Sequence, residues 1–522
     1  MNFSIIPKPK FLQQNDGFFN FENDISLTGE LSVKIQNEVN RIFNIQQHST
    51  KTINFFINTD ILAEGYSLVI EKTKIDISAA SDCGFFYALQ TLRQVICQFS
   101  FNLPCLKILD SPKLSFRGYM MDVGRYFFKI EDIKKQIDYI SLYKINYLHL
   151  HLTEDQGWRV EIKKYPLLTT IGAFRERTLF NHSPHGGFYT QAELRDLVAY
   201  ADERFVTIIP EVDIPGHTQS ALASYSFLSC FDRTDLKVAT KFGIKHDILC
   251  AGKDTTYTFV KDVLTEIAEI FHGYIHIGGD EVAKTRWKMC AQCQKLMAEK
   301  GLKTEEDLQI YFIKEITDFL LSRGITPIMW SLGKGGEILD KRVIQQYWSS
   351  AAGADRGIIE MINDGRQCIN SNSGAYYIDI PHGINSLEKL YKTPAIFDGV
   401  TKPENVLGIE LPLWSEYVKN QKIAEKLTFP RLLAGAEVAY SENLNYDDFL
   451  SRVRLNEKML NQLNIEFTSL KNANPKFLVA LAGKFKWWRR WMHWEGLGNL
   501  INNHKAKIIA QNKTFGIKKQ MK

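Results

Sequence analysis

From Ser115 to about residue 445 the chain repeats one pattern, a short apolar run followed by a stretch with apolar positions at helical spacing. The runs are FRGYMMDV (116–123), INYLHLHL (145–152), FVTIIPEVD (205–213), YIHIGGDE (274–281), TPIMWS (326–331), VIQQYW (343–348), RQCINSN (366–372) and NVLGIELPLW (405–414). IEDIKKQIDYISLYK and QAELRDLVAYADER are typical of the helical stretches between them. Strands buried on both faces read as near-continuous apolar runs, and parallel strands need crossovers long enough to hold a helix. Eight such runs separated mainly by helices predict an α/β fold, a (β/α)8 barrel over 113–445. The alternation is weakest from the fifth run to the seventh, where the connections are short.

The flanks differ. Residues 1–112 read as a small α+β domain: TINFFIN and YSLVIEKTKIDIS alternate as strands do, and GFFYALQTLRQVICQF follows Ser/Asp cap candidates with helical spacing. This region carries no cluster of acids, bases or metal ligands, which suits a structural partner. Residues 446–522 read as a helical, basic C-terminal extension, in which KFKWWRRWMHWEGL (484–497) holds four of the nine tryptophans. Its rings are expected to pack on the barrel with its Arg and Lys solvated, in preference to lying on a membrane surface.

Several classes are disfavoured by composition. With 64 basic and 59 acidic side chains the net charge is only +5, so no nucleic-acid partner is expected. No apolar run reaches the roughly 18 residues that span a bilayer. Met1–Lys10 lacks a basic segment followed by a long apolar one, so a soluble, cytoplasmic chain is expected from the residues alone. The eight cysteines are scattered, as suits reduced thiols. Cys290 and Cys293 form a C-x-x-C with no second pair at zinc-site spacing, and read as two thiols on a helix. No metal or cofactor is expected.

Polar and aromatic side chains gather at the C-terminal ends of the predicted strands, where barrel enzymes build their sites. Asp122 and Arg125 stand at or just past the end of the first run, Glu154 and Asp155 past the second, Asp213 and His217 at or just past the third, and Asp280 and Glu281 close the fourth. Trp330, Trp348, Trp414 and Glu416 close later ones. Three tryptophans facing a mouth that carries carboxylates favour carbohydrate, because sugar C–H faces stack on rings. Asp280 and Glu281 are adjacent, and neighbours in a regular strand face opposite sides. Gly278 and Gly279 relax that geometry, so both carboxylates can reach one pocket. An acidic helix cap for the following segment is the competing reading of this stretch alone.

HIGGDE, FRGYMMDVGRYF, INYLHLHLTEDQGWR, PEVDIPGH and GIELPLWSE together resemble the β-N-acetylhexosaminidases of glycoside hydrolase family 20, over about Pro7 to Glu442. The resemblance implies exo-acting, retaining hydrolysis of terminal N-acetylhexosamine (GlcNAc or GalNAc) from oligosaccharides or glycoconjugates, with the substrate's own acetamido oxygen as nucleophile. It implies that Asp280 orients the acetamido group and Glu281 is the acid/base, linked through His217 to Glu154, with Asp155 as Glu154's neighbour and alternative. Arg125, Tyr377, Asp379 and Glu416 are implied to bind substrate polar groups, with Trp330, Trp348 and Trp414 as walls. Members of the family are commonly exported or lysosomal, so a periplasmic or secreted location is the alternative to a cytoplasmic one. The chain departs from the family at Tyr126, Ser331 and Tyr440, where His, Asp and Trp are usual; Tyr440 reads as packing.

Two rivals are retained. His149 and His151 share a strand face, and with His217, His276, Asp213 and Asp280 they suggest a metal-dependent barrel hydrolase. A non-catalytic sugar-binding barrel is the other.

Overall fold

The computed structural model describes residues 2–20, 25–43, 50–178, 182–333, 335–349 and 355–491. Eight parallel strands close into a barrel in chain order: Phe116–Asp122, Tyr147–His151, Thr207–Glu211, Tyr274–His276, Thr326–Trp330, Ile344–Tyr347, Cys368–Asn370 and Val406–Leu413, the last pairing back onto the first. The predicted (β/α)8 fold is therefore observed. Several strands are shorter than their apolar runs. The fourth stops at His276 because Gly278 and Gly279 take positive φ of 66° and 99° and lead the chain out of the ladder. Between the fifth and sixth strands the described residues hold only a 3-10 turn, Gly336–Ile338, in place of a helix.

The barrel interior departs from a purely apolar filling. His149, His151, Glu211, His276, Gln346 and Glu410 are all buried there. Inward positions of a barrel strand alternate along it, so His149 and His151 face the same interior, as do Glu211 and Asp213 of the neighbouring strand and loop.

Ahead of the barrel lies a six-stranded mixed sheet, in the order Phe11–Asn20, Asn102–Asp110, Tyr66–Ile70, Lys74–Ala79, Thr52–Ile57, Ser26–Thr28. Helix Asp82–Phe99 packs on it, capped by Ser81, whose hydroxyl accepts the Gly84 N–H at 3.3 Å. The two units are locked by buried polar contacts. Arg117, on the first barrel strand, reaches Glu64 at 3.0 Å and the Tyr87 hydroxyl at 2.8 Å, and Lys144 Nζ lies 3.0 Å from Asp110. Tyr440, one of the departures from the family pattern, is fully buried with its ring 4.7 Å from Lys144 Nζ, a packing position.

Beyond residue 445, helix Tyr446–Gln462 is an integral wedge. Arg452 pairs with Glu437 at 2.6 Å and donates to the Ile5 carbonyl at 3.0 Å, while Asn456 accepts from the Tyr143 hydroxyl at 2.6 Å. The last described helix, Phe477–Trp491, differs from expectation: Phe485 and Trp488 are exposed by 63% and 51%, so most of its described rings do not pack on the barrel. Trp487 is the exception, lying at the barrel mouth. Trp494 and the basic tail lie outside the described residues. No described helix is long and apolar enough to cross a membrane.

The C-x-x-C pair is not alone. Cys290 caps helix Ala291–Lys300 and Cys293 sits in its first turn, and the sulfurs of Cys230 and Cys250 join theirs from a distant loop. A search for a second pair at finger-like spacing misses them, because they come singly from residues 40 and more positions upstream.

Candidate active site

The strand ends converge as barrel geometry requires. Asp122 ends the first strand, and its carboxylate accepts the backbone N–H of Gly124 at 2.9 Å and of Arg125 at 3.0 Å, a local turn that throws Arg125 over the mouth. The Arg125 guanidinium meets Asp122 and Glu154 at 3.1 Å each and Glu416 at 3.4 Å, with its centre 5.0 Å from the Trp414 ring. Three carboxylates around one fork fix its plane.

Glu154 is the hub. One oxygen accepts from His217 Nδ1 at 2.8 Å and from the Asp155 N–H at 2.9 Å; the other faces His151 Nε2 at 3.2 Å and Arg125. Burial raises its pKa, yet Arg125 and His217 outweigh that and hold it well below the usual range. Asp155 turns away: it accepts the Gln219 N–H at 2.9 Å and stands 3.8 Å from His217, and burial together with Glu154 pushes it up to about 6. Of the two neighbours, Glu154 is the one bonded to His217.

His217 Nε2 stands 3.4 Å from Glu281, completing a Glu154–His217–Glu281 chain. Both partners of this contact are held in uncommon backbone, with φ of +50° at His217 and +47° at Glu281. Gly278 makes the approach possible, since a Cβ there would lie 1.8 Å from Asp213 Oδ1. Asp213 accepts the Gly279 N–H at 3.1 Å, and Gln309 donates to the Gly279 carbonyl at 2.8 Å. The two carboxylates thus leave the strand on a braced turn, and strand alternation no longer separates them.

Their environments differ. Asp280 has a buried oxygen without a hydrogen-bond partner, and its pKa rises to about 6, through burial first and then Glu281 and Glu211, against the pull of His217. Glu281 is more open, with 38% of its side chain exposed, and its pKa lies below the usual range because the His217 contact overcomes its partial burial. Burial opposes the charge on His217, but Glu154 and Asp213 hold its pKa well above 6.5. In the open site the proton of the His217–Glu281 pair therefore rests on the imidazole, and of the two adjacent carboxyls Asp280 is the one that takes up a proton first as pH falls through about 6.

A cavity of about 280 Å³ is lined by Arg125, Asp280, Glu281, Trp348, Tyr377, Asp379, Trp414 and Glu416. Trp487 of the C-terminal helix, Tyr417, Ser373 and Ile380 complete its rim. Asp379 has a buried oxygen without a hydrogen-bond partner and is raised by burial to about 7. A second cavity of about 570 Å³, sharing Asp280, Glu281 and Trp348, runs past Ile244, His246, Lys284 and Ser331. Trp330 is a floor and not an exposed wall: it is 1% exposed, donates from Nε1 to Glu211 at 2.8 Å and packs on Trp414 with ring centres 5.7 Å apart.

Sequence reasoning passed over Glu211 and Glu410. Glu211 accepts from Trp330 and faces His149 at 3.0 Å, His151 at 2.5 Å and His276 at 3.0 Å, while Glu410 faces His149 at 3.2 Å. The histidines weighed as metal ligands are thus directed at carboxylates beneath the site. The available signal was the alternation of Glu211 with Asp213 beside His149 and His151. Trp487 and Tyr417 were also missed: Trp487 lies far from any barrel strand, and Tyr417, though it directly follows Glu416, carries no acid, base or tryptophan to mark it.

Comparison with known proteins adds independent findings. The glycosyl hydrolase family 20 catalytic domain model matches residues 114–443, and the domain 2 model of that family matches 2–111. A β-hexosaminidase from Porphyromonas gingivalis is 38% identical over 415 residues, 75% of this chain; the chain spans only about half, 52%, of that relative. A β-hexosaminidase from Vibrio furnissii is 33% identical, covering 83% of this chain and 75% of the relative. The crystal structure of a β-N-acetylhexosaminidase from Bacteroides fragilis superposes with a TM-score of 0.80 at 30% identity, covering 91% of this chain and 99% of that one. The chain belongs to glycosyl hydrolase family 20, the family of the β-N-acetylhexosaminidases.

Proposed function

We propose that the chain is an exo-acting, retaining β-N-acetylhexosaminidase that removes a terminal GlcNAc or GalNAc from oligosaccharides or glycoconjugates by substrate-assisted catalysis. One observation carries this reading: Asp280 and Glu281, adjacent in sequence, open onto one cavity, and only Glu281 is joined to the His217–Glu154 chain. Asp280 accepts a hydrogen bond from the acetamido N–H and stabilises the positive charge that develops there. The acetamido oxygen bonds to the anomeric carbon as the glycosidic C–O bond breaks, and Glu281 protonates the departing oxygen. Glu281 then takes a proton from the water that attacks the anomeric carbon of the oxazolinium, and the acetamido oxygen leaves. Holding nucleophile and electrophile in one bound molecule removes the entropy of bringing in a second reactant.

The open-site protonation pattern gives substrate a specific task. An aglycone over Glu281 strips water from its exposed side, which favours its neutral form, and the proton crosses the 3.4 Å contact from His217. An N–H donor on Asp280 favours its ionised form. Binding therefore moves the proton of the His217–Glu281 pair onto Glu281 and holds Asp280 ionised, which arms the site. Arg125 and Glu416 recognise the hydroxyls far from the reacting bond, with Asp379 and Tyr377 beside them and Trp348 and Trp414 against the ring. Asp155 supports the loop that bears His217. We assign catalysis to 113–445 and a supporting role to 1–112, with 446–522 as the C-terminal extension.

Aryl 2-acetamido-2-deoxy glycosides assayed beside the matching 2-hydroxy glycosides test the reading. Turnover confined to the acetamides is expected, with strong inhibition by a thiazoline mimic of the oxazolinium. Comparable turnover of the 2-hydroxy sugars would defeat it.

A further inference from the structure

The four sulfurs noted above belong to no part of the proposed catalytic machinery. Cys230 and Cys250 come from the long loop after the third strand, and Cys290 and Cys293 from the segment after the fourth. Their Sγ atoms all lie within 4.8 Å of one another. The separations are 3.6 Å for Cys250–Cys293, 3.7 Å for Cys250–Cys290 and 4.0 Å for Cys230–Cys293. A tetrahedral ion with metal–sulfur bonds of about 2.3 Å places its four sulfurs about 3.8 Å apart. No pair is a disulfide, which needs about 2.05 Å; all eight cysteines are free.

The surroundings suit thiolates. Cys250, Cys290 and Cys293 are buried and Cys230 is half-buried. The Cys293 N–H is directed at the Cys290 sulfur, and that sulfur stands at the N-terminus of helix Ala291–Lys300, where partial positive charge favours an anion. A Cβ on Gly252, two residues after Cys250, would sit 2.3 Å from the Cys293 nitrogen, so glycine lets the two ligand-bearing segments close on each other. Buried thiols in an ordinary core pack among alkyl groups. Apolar packing gives no reason for four sulfurs from separate segments to meet at one point.

We propose that Cys230, Cys250, Cys290 and Cys293 bind one structural zinc ion. The site ties the loop bearing His217 to the loop bearing Asp280 and Glu281, beside two further staples between them: Arg286 to Asp247 at 2.9 Å and Trp287 Nε1 to the Leu249 carbonyl at 2.9 Å. It is closed, with four protein ligands and no open position, so it holds geometry and does no chemistry.

The test uses the full chain purified under reducing conditions without chelator. Elemental analysis is expected to find one zinc per chain, and a mercurial thiol reagent to release it. Cobalt substitution is expected to give the thiolate charge-transfer bands and intense visible d–d bands of a tetrahedral sulfur site. The double variant Cys290→Ser/Cys293→Ser should lose the metal. Should it fail to fold, the zinc content and cobalt spectrum of the unaltered chain still decide. Metal-free protein with four titratable thiols in this cluster, or disulfides among them by mass spectrometry, would overturn the proposal. Stoichiometric iron in place of zinc would overturn the choice of metal. None of these readouts depends on glycosidase activity, so failure here and failure of the proposed function are separable.

Discussion

Asp280 offers the sharpest test because its pKa sits inside the working pH range. In the free site it is pushed up to about 6 by burial, Glu281 and Glu211, with His217 pulling the other way. The proposed chemistry needs it ionised. The profile of kcat/KM reports groups of the free enzyme, so activity should fall as pH drops through about 6. At pH 5 about one molecule in eleven keeps Asp280 ionised, which predicts about a tenfold loss relative to pH 7. His217 and Glu281 do not titrate in that window, being held well above 6.5 and below 4.5. Asp155 and Asp379 do, at about 6 and about 7, and so supply the controls. Asp280→Asn should lower the plateau by about 10²–10³, the scale of one electrostatic contact made in the transition state, and should abolish the acidic limb. Asp155→Asn and Asp379→Asn should each retain the limb. The assay is stopped-time release of a fluorogenic N-acetylglucosaminide across pH 4.5–8 at subsaturating substrate. An acidic limb surviving in Asp280→Asn, or lost only in Asp155→Asn or Asp379→Asn, would refute the assignment.

Three further outcomes follow from named contacts. Glu281→Gln should cut turnover by about 10²–10⁴ for natural disaccharides, and by less for aryl glycosides whose leaving group needs little protonation; equal losses for both would speak against an acid role. Arg125→Lys should raise KM about tenfold or more, because one ammonium cannot serve Asp122, Glu154 and Glu416 together; steady-state kinetics on one acetamide substrate checks it. Gly278→Ala should cost about 1–3 kcal/mol, through positive φ and the clash with Asp213, and should appear as a lower midpoint in thermal unfolding.

The barrel was legible because buried parallel strands leave continuous apolar runs, and the mouth because functional residues follow those runs directly. Arg125, Glu154, His217, Asp280 and Glu281 each lie within a few residues of a strand end, so their convergence follows once the strands close. Trp330 shows the limit of that rule. It ends a strand too, yet its N–H is aimed inward at Glu211, because the barrel core beneath the site is itself polar. Trp487 shows the opposite limit, reaching the same cavity from a helix well over a hundred residues downstream of Trp330, with nothing local to mark it. The protonation pattern was hidden for a related reason. Two adjacent carboxylates suggest mutual repulsion, but the deciding charge is His217, which is distant in sequence and carried on a turn with positive φ. Local sequence supplies the acids; what each acid does depends on a cation that only the closed barrel brings within 3.4 Å. The cysteines repeat the lesson: Cys290 and Cys293 announce themselves, while Cys230 and Cys250 acquire meaning only where the loops after the third and fourth strands meet. The pairing of those same two loops at His217 and Glu281 sets the acid/base contact, so whatever fastens them also governs the distance over which the proton must move.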